Sequence, residues 1–232
     1  SNPIPSIFET GPSCNYDGKL FITIQCNGCL GYNPCVEANS SEFRCSHRII
    51  LCIYVPTAIV LLAFALRSVP LTQHRFHPDE AWYAHFARLV ASGRDPWLSS
   101  VTVDKPPIPF YLSAASLMLM APIPSVPPLV AEMATRLPSL AAGTVSMALI
   151  YGLASNMYGR ETGLAAATVF TLSPLSILFS TTIFADTLLT TFLIWSLWAA
   201  IRRSWAWSGI AFALALCCKQ TALFFAPLVL SL

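Results

Sequence analysis

From residue 137 to residue 232 the chain carries only six charged side chains: Arg160, Glu161, Asp186, Arg202, Arg203 and Lys219. Between them lie uncharged runs at 137–159, 162–185 and 187–201. A further run at 204–232 is broken only by Lys219, and an earlier one covers 49–66. A bilayer-crossing helix needs about 20 mostly apolar residues. A chain in lipid must satisfy its backbone hydrogen bonds internally, so such runs read as helices. They are continuously apolar rather than alternating, which argues against barrel strands. The expectation is an all-α polytopic membrane protein with five spans, at about 49–66, 137–157, 162–182, 186–201 and 206–231. Composition agrees. The chain is 55% hydrophobic and 10% charged, against about 25% charged in an ordinary soluble domain. That excludes a soluble globule and a disordered chain. A net charge of +2 marks no nucleic-acid partner; membrane lipids are the expected surroundings.

A shorter apolar stretch, 108–120, is bracketed by Pro106, Pro107, Pro109, Pro122 and Pro124. It is too short to cross comfortably and suits an interfacial or re-entrant helix. With that stretch not crossing, Arg160 and the Arg202–Arg203 pair fall on the side of the N-terminus. The positive-inside tendency then makes that side cytoplasmic. The loop 67–136 and the 182–186 connection face outward. The five arginines of loop 67–136 argue the other way, but long translocated loops escape the rule.

Residues 1–48 form a separate polar segment with Cys14, Cys26, Cys29, Cys35 and Cys45. Cys26 and Cys29 have zinc-knuckle spacing and His47 offers a further ligand, yet no second pair follows. Asn39-Ser40-Ser41 is a glycosylation sequon, usable only on the lumenal side. The alternatives are a poorly ordered reduced tail, a small metal-bound or disulfide-stapled cap, or a stretch foreign to the native chain. A lumenal disulfide-bonded tail would invert the topology.

The chemistry concentrates in the outward loop. Pro78 and Asp79 are helix-start residues and Gly93 a helix-stop residue, predicting a helix over about 79–92. Trp82, Phe86, Leu89 and Val90 give it one apolar face, as in a helix lying in the membrane interface. Asp79 and Glu80 sit at its N-terminus, where the helix dipole favours ionised carboxylates and a base could work. The simpler reading is a cap and a first-turn acid. Lys105 precedes the double proline that opens 108–120, at headgroup height; the simpler reading is a snorkelling lysine. Asp186 and Lys219 interrupt apolar runs, and charges at such depth face a cavity or a partner. Asp79, Lys105, Asp186 and Lys219 are expected to share one outer-leaflet cleft, unless Asp186 and Lys219 only pin two helices together. Arg75 and Arg88 are second-rank phosphate neutralisers. His77 and His85 are weak candidates for a divalent metal.

His77-Pro-Asp-Glu-Ala-x-Tyr-Ala84, Asp104-Lys-Pro-Pro107, Arg136-Leu-Pro-Ser139, Phe184-Ala-Asp-Thr-Leu-Leu189 and Cys218-Lys-Gln220 together resemble the dolichyl-phosphate-mannose protein mannosyltransferase-like superfamily, which includes the bacterial aminoarabinose lipid A transferases. The resemblance runs from about His77 to residue 232. It implies the GT-C fold, with in-plane helices in the first outward loop. It also implies transfer of a sugar from a polyprenyl-phosphate donor to a hydroxyl acceptor with inversion. It further implies Asp79 as the general base, with Glu80 completing the acidic pair. By the same resemblance Lys105 and Lys219 hold the lipid-linked phosphate. Asp186 is a second acid that binds metal in some relatives, and Asp104 is acidic in the aminoarabinose transferases. The membrane would be a bacterial inner membrane or the endoplasmic reticulum, with the loop periplasmic or lumenal.

Typical members are much longer, with more spans, so the expectation is an N-terminal half or a split or degenerate form. The competing reading is a non-catalytic subunit packed in a larger membrane-protein complex. A transporter is a third reading, but no inverted repeat or paired broken helices are visible in the sequence.

Overall fold

The computed structural model describes residues 41–71, 75–120 and 127–232, with side chains from Tyr54 onward. Cys14, Cys26, Cys29, Cys35, Asn39 and the side chains of Cys45 and His47 lie outside the described residues. The chain divides into two compact units, Ser1–His47 and Arg48–Leu232. Apart from the first turns of α1, everything described belongs to the second.

The elements run α1 Ser41–Leu71, α2 Pro78–Ala91, α3 Ile108–Met120, α4 Pro128–Tyr158, α5 Arg160–Leu172, α6 Pro174–Ser180, α7 Ala185–Ile201 and α8 Trp205–Leu216. A 3₁₀ stretch Gln220–Phe225 and α9 Ala226–Leu230 follow. No strand occurs among the described residues: this is an all-α polytopic membrane protein. By length and composition α1, over Tyr54–Leu71, and α4 can cross a bilayer; α5 with α6 makes a third if the bent pair counts as one span.

The structure departs from the expected spans where prolines and charges intervene. α4 starts nine residues before the expected 137 and carries Glu132 and Arg136 within it, because both charges have partners inside the protein. The run 162–182 is bent by 64° between α5 and α6. Pro174 has no N–H to continue the ladder. Ser173 before it is extended, and its hydroxyl caps the Ser176 N–H at 3.5 Å. The run 206–231 breaks after Leu216. There Lys219 is extended (φ −159°, ψ 132°) rather than helical.

Hydroxyls and small residues hold the helices together, as expected where lipid removes any hydrophobic drive for helices to associate. Ser196 of α7 and Ser208 of α8 each donate to the other's carbonyl at 3.0 Å. Fully or nearly buried Ala199, Ala200, Ala211 and Ala215 fill the same seam. Ser146 of α4 meets Thr191 of α7 at 2.8 Å. Arg67, at the end of the uncharged run of α1, is fully buried. Its guanidinium donates to the hydroxyls of Ser180 (3.0 Å) and Ser176 (2.8 Å) and to the Ala63 carbonyl (3.0 Å). Gly143 of α4 leaves room for this: a Cβ there would fall 2.6 Å from Ser180 Cβ.

Pro138, inside α4, removes the N–H that would bond the Ala134 carbonyl. Ser116 of α3 donates to that carbonyl at 2.6 Å, and Ser113 to the Thr135 carbonyl at 3.0 Å. The proline thus exposes acceptors onto which α3 docks. Ser116→Ala is expected to cost about 1 kcal/mol, a typical net hydrogen-bond contribution. In a Pro138→Ala background the cost should shrink, since the restored N–H satisfies Ala134. Thermal unfolding of the four proteins in detergent measures this; equal costs in both backgrounds would refute the account.

Candidate active site

The start of α2 is set by a capping box. His77 is the N-cap, Pro78 occupies the first turn, and the Glu80 side chain accepts the His77 N–H at 3.0 Å. A carboxylate at this third position is a standard way to satisfy an orphan helix N–H. Glu80 does more. Its carboxylate is 3% exposed. Oε1 also accepts from Arg136 Nε at 3.0 Å and from the Ile183 N–H at 3.2 Å, and Oε2 accepts from Arg136 Nη2 at 2.8 Å. Among the described residues, its two oxygens therefore take four hydrogen bonds from three segments: the turn before α2, α4, and the connection before α7.

The network extends outward. The Arg136 guanidinium lies over the Phe76 ring at 4.9 Å and reaches the Arg75 carbonyl at 3.4 Å. Arg75 Nε pairs with Glu132 Oε1 at 3.1 Å. Glu132 and Arg136 are four residues apart on α4, so one helix face supplies an acid and a base to a single incoming segment.

Asp79, the neighbour of Glu80, points the other way. Successive helical residues diverge by about 100°, and the Asp79 side chain is 69% exposed. It lines a cavity of about 570 Å³ with Tyr83, Asp104, Lys105, Phe110 and Phe184. Glu80 lines a different cavity of about 480 Å³ with Arg75, His77 and Arg136. The paired acids of the sequence are thus separated: one is exposed in an open hollow, the other occupied by an ion pair.

The loop 92–107 carries Asp104 and Lys105 to this hollow on a fixed backbone. Gly93 follows the end of α2 at φ +68°, a conformation glycine adopts freely. Asp95 accepts the N–H groups of Ser99 (2.9 Å) and Ser100 (2.7 Å) and both of their hydroxyls. Those bonds, the Ser100 hydroxyl first, hold its carboxyl down at about 2. The Tyr111 hydroxyl donates to the Pro96 carbonyl at 2.9 Å. The Ile108 N–H, first in α3, donates to the Cys217 carbonyl at 3.3 Å, where α8 ends. Lys105 Nζ lies 2.5 Å from Asp104 Oδ2. The hydrogen bond between them lowers the Asp104 carboxyl and raises the Lys105 ammonium.

Asp186 and Lys219 pair at 2.6 Å, both partly exposed. Asp186 also lines a third cavity, of about 210 Å³, with Ser146, Ser173, Ser176 and Thr190. Neither residue belongs to the wall of the Asp79 hollow. Asp186, but not Lys219, acts on the charge of Tyr83 in that wall. Burial raises the phenol of Tyr83, and Lys105 lowers it; Asp186, Asp104 and Asp79 raise it further.

Asp79, Asp104 and Lys105 therefore share one hollow, Asp186, paired with Lys219, lines a separate one, and Glu80 is turned into the packing. Arg88 is exposed near the C-terminal end of α2, about two and a half turns beyond Asp79. His85 is exposed and touches only the rings of Trp82 and Phe86 among the described aromatic contacts. Among the described residues no three His, Cys, Asp or Glu side chains group to hold a metal ion. Tyr83 and the Glu80–Arg136 pairing carried no role in the sequence reading. Arg136 and Tyr83 both stand in quoted motifs, but nothing in a linear pattern joins position 80 to position 136.

Arg136→Met would leave the Glu80 carboxylate buried without its cation, and losing one partner of a buried pair costs about 3–5 kcal/mol. The Glu80→Gln, Arg136→Met double variant should recover part of that loss. Thermal unfolding of the two single variants and the double checks it; a double variant that loses the sum of both singles would count against the pair.

A family model described as dolichyl-phosphate-mannose-protein mannosyltransferase matches residues 104–232, more than half of the chain. The match includes Asp104, Lys105, Arg136, Asp186 and Lys219 and begins after Asp79 and Glu80. Comparison with curated proteins and with solved structures gives no match. An all-α membrane architecture, a charged hollow lined by α2, α3 and the loop between them, and this match together identify the chain as a member of the dolichyl-phosphate-mannose-protein mannosyltransferase family, a membrane glycosyltransferase family of GT-C type.

Proposed function

We propose that the chain transfers a sugar from a polyprenyl-phosphate donor to a hydroxyl acceptor with inversion, and that Asp79 is the general base. One observation carries this reading. Of two adjacent acids, only Asp79 is exposed in a hollow that also holds a lysine. In the reaction the acceptor oxygen attacks C1 of the sugar and its proton passes to Asp79. The bond from C1 to the phosphate oxygen breaks, and the electron pair leaves with the lipid phosphate. General bases of this kind contribute about 10²–10⁴ in rate.

The leaving phosphate needs positive charge, supplied where charge develops. Lys105 is on the wall of the hollow; Lys219, outside that wall, is held by Asp186. Both lysines are neutralised by a carboxylate before any ligand arrives. An incoming phosphate therefore competes with Asp104 and Asp186 for them. Asp186, the acid that binds metal in some relatives, is engaged by Lys219 instead, and no metal enters the steps proposed here. In the proposed topology the hollow opens away from the cytosol, to the periplasm or the lumen, and Arg160, Arg202 and Arg203 lie on the cytoplasmic side.

Asp79→Asn should lower transfer by at least about 10²-fold with folding and insertion unchanged. Lys105→Ala and Lys219→Ala should chiefly raise the KM for donor. Transfer assays on membranes with a polyprenyl-phosphate sugar test both; full activity of Asp79→Asn would remove the assignment. Single cysteines at positions 79, 160 and 202 test the topology with an impermeant thiol reagent. Position 79 should label from outside and the other two only after permeabilisation. Labelling of 79 and 202 from the same face would overturn it.

A further inference from the structure

The turn from α7 into α8 carries two adjacent arginines that the proposed chemistry does not use. Arg202 and Arg203 open an exposed stretch, 202–207. The chain has no Asp or Glu from 187 to 232. Among the described residues neither arginine has an acid partner, whereas Arg75, Lys105, Arg136 and Lys219 each have one. The Arg202 guanidinium lies over the Trp198 ring at 4.2 Å, and no acceptor meets it among the described residues.

The backbone of this corner is fixed. Ser196 and Ser208 tie the two helices together at 3.0 Å. The Arg203 N–H donates to the Ala200 carbonyl at 2.8 Å and the Ser204 N–H to the Ala199 carbonyl at 2.9 Å. Those are the paired bonds of a helix end that closes on a left-handed residue, ordinarily glycine. Here that residue is Arg203, at φ +58°. An L side chain is strained in this conformation, and strain held at one defined position points to a use for the side chain. Two guanidinium groups therefore stand at adjacent positions on a rigid corner.

The place of the corner in the fold names its partner. α7 and α8 are apolar, and the corner joins their ends, the level at which lipid headgroups lie. Trp205 and Trp207 are each more than half exposed, and Trp207 stacks on Trp195 at 6.2 Å. Exposed indoles suit the boundary between headgroups and acyl chains. Ile210 continues the exposed apolar surface along α8. We propose that the corner 202–207 is a binding site for an anionic glycerophospholipid, with Arg202 and Arg203 taking the headgroup phosphate and the two indoles the glycerol and first methylenes. Guanidinium forks match phosphate oxygens. A phosphatidylcholine fits less well, because its own cation offsets its phosphate. The site is independent of sugar transfer and of the side of the membrane that the corner faces.

The test is binding of dioleoylphosphatidylglycerol and dioleoylphosphatidylcholine to the full chain in detergent, counted by native mass spectrometry. Arg202→Gln and Arg203→Gly should each bind the phosphatidylglycerol about five-fold more weakly, the scale of one basic residue at an anionic surface. Phosphatidylcholine binding should not change. Arg203→Gly should also unfold no earlier than the parent in lipid-free detergent, since glycine relieves the strained backbone. Arg202→Gln leaves that backbone untouched and so reads the site without it. Arg94→Gln, which removes an exposed charge from the loop between α2 and α3, should bind phosphatidylglycerol as the parent does. Parent-like phosphatidylglycerol binding by the Arg202→Gln, Arg203→Gly double variant overturns the site. An equal loss in Arg94→Gln also overturns it, because net charge would then be responsible. Binding of a polyglutamate peptide, with no preference for phosphatidylglycerol over phosphatidylcholine, removes the lipid and makes an acidic protein segment the occupant.

Discussion

The ion pair between Glu80 and Arg136 is the constraint on which the site depends. It joins the turn before α2, the body of α4 and the connection into α7 through one carboxylate. A buried ion pair of this kind adds little net stability relative to apolar packing, but it tolerates no loss of one partner. Its contribution is geometric. With Glu80 fixed, the helical turn aims Asp79 outward, and Tyr83 falls one turn further along the same wall. Arg75 and Glu132 repeat the arrangement one step outside it, so the segment entering α2 is gripped by two charges from one face of α4.

Within the bilayer-spanning part, a second economy operates. Backbone carbonyls freed by prolines and helix ends become docking points. Pro138 releases Ala134 to Ser116, and the end of α8 presents Cys217 to Ile108. Arg67 extends this logic to a cation, held by two serine hydroxyls and a carbonyl where Gly143 brings the backbones close. Lipid offers no alternative partner to such groups, so each must be met by another helix.

Much of this architecture was legible in the residues. Proline and glycine punctuation located α2 and α3 to within a residue, because those signals act on the local backbone. The all-α class followed from the length of the uncharged runs. Other features were hidden because they depend on contacts between distant segments. The apolar face expected for α2 used Trp82, Phe86, Leu89 and Val90; of these only Phe86 is on the buried face, which it shares with Glu80, Ala84 and Ala87. A carboxylate with an arginine partner can occupy a core position, and a hydropathy pattern counts it as outward. The start of α4 was set too late for the same reason: Glu132 and Arg136 read as the end of a loop. Of the four charges expected in one cleft, Asp79 and Lys105 line the same hollow, with Asp104 beside them, while Asp186 and Lys219 are not on its wall. The pairing of Lys219 with Asp186 was weighed from their depth in the apolar runs. Tyr83 stands in a quoted motif but was given no role, since an aromatic residue on a helix is ordinarily packing.

Lys105 lies three residues before Ile108, and Lys219 two after Cys217. The hydrogen bond from the Ile108 N–H to the Cys217 carbonyl therefore ties the strip that carries Lys105 to the place where α8 stops. The two lysines thus flank one seam of the fold, Lys105 entering α3 and Lys219 leaving α8, so a substitution that opens this seam disturbs the footing of both.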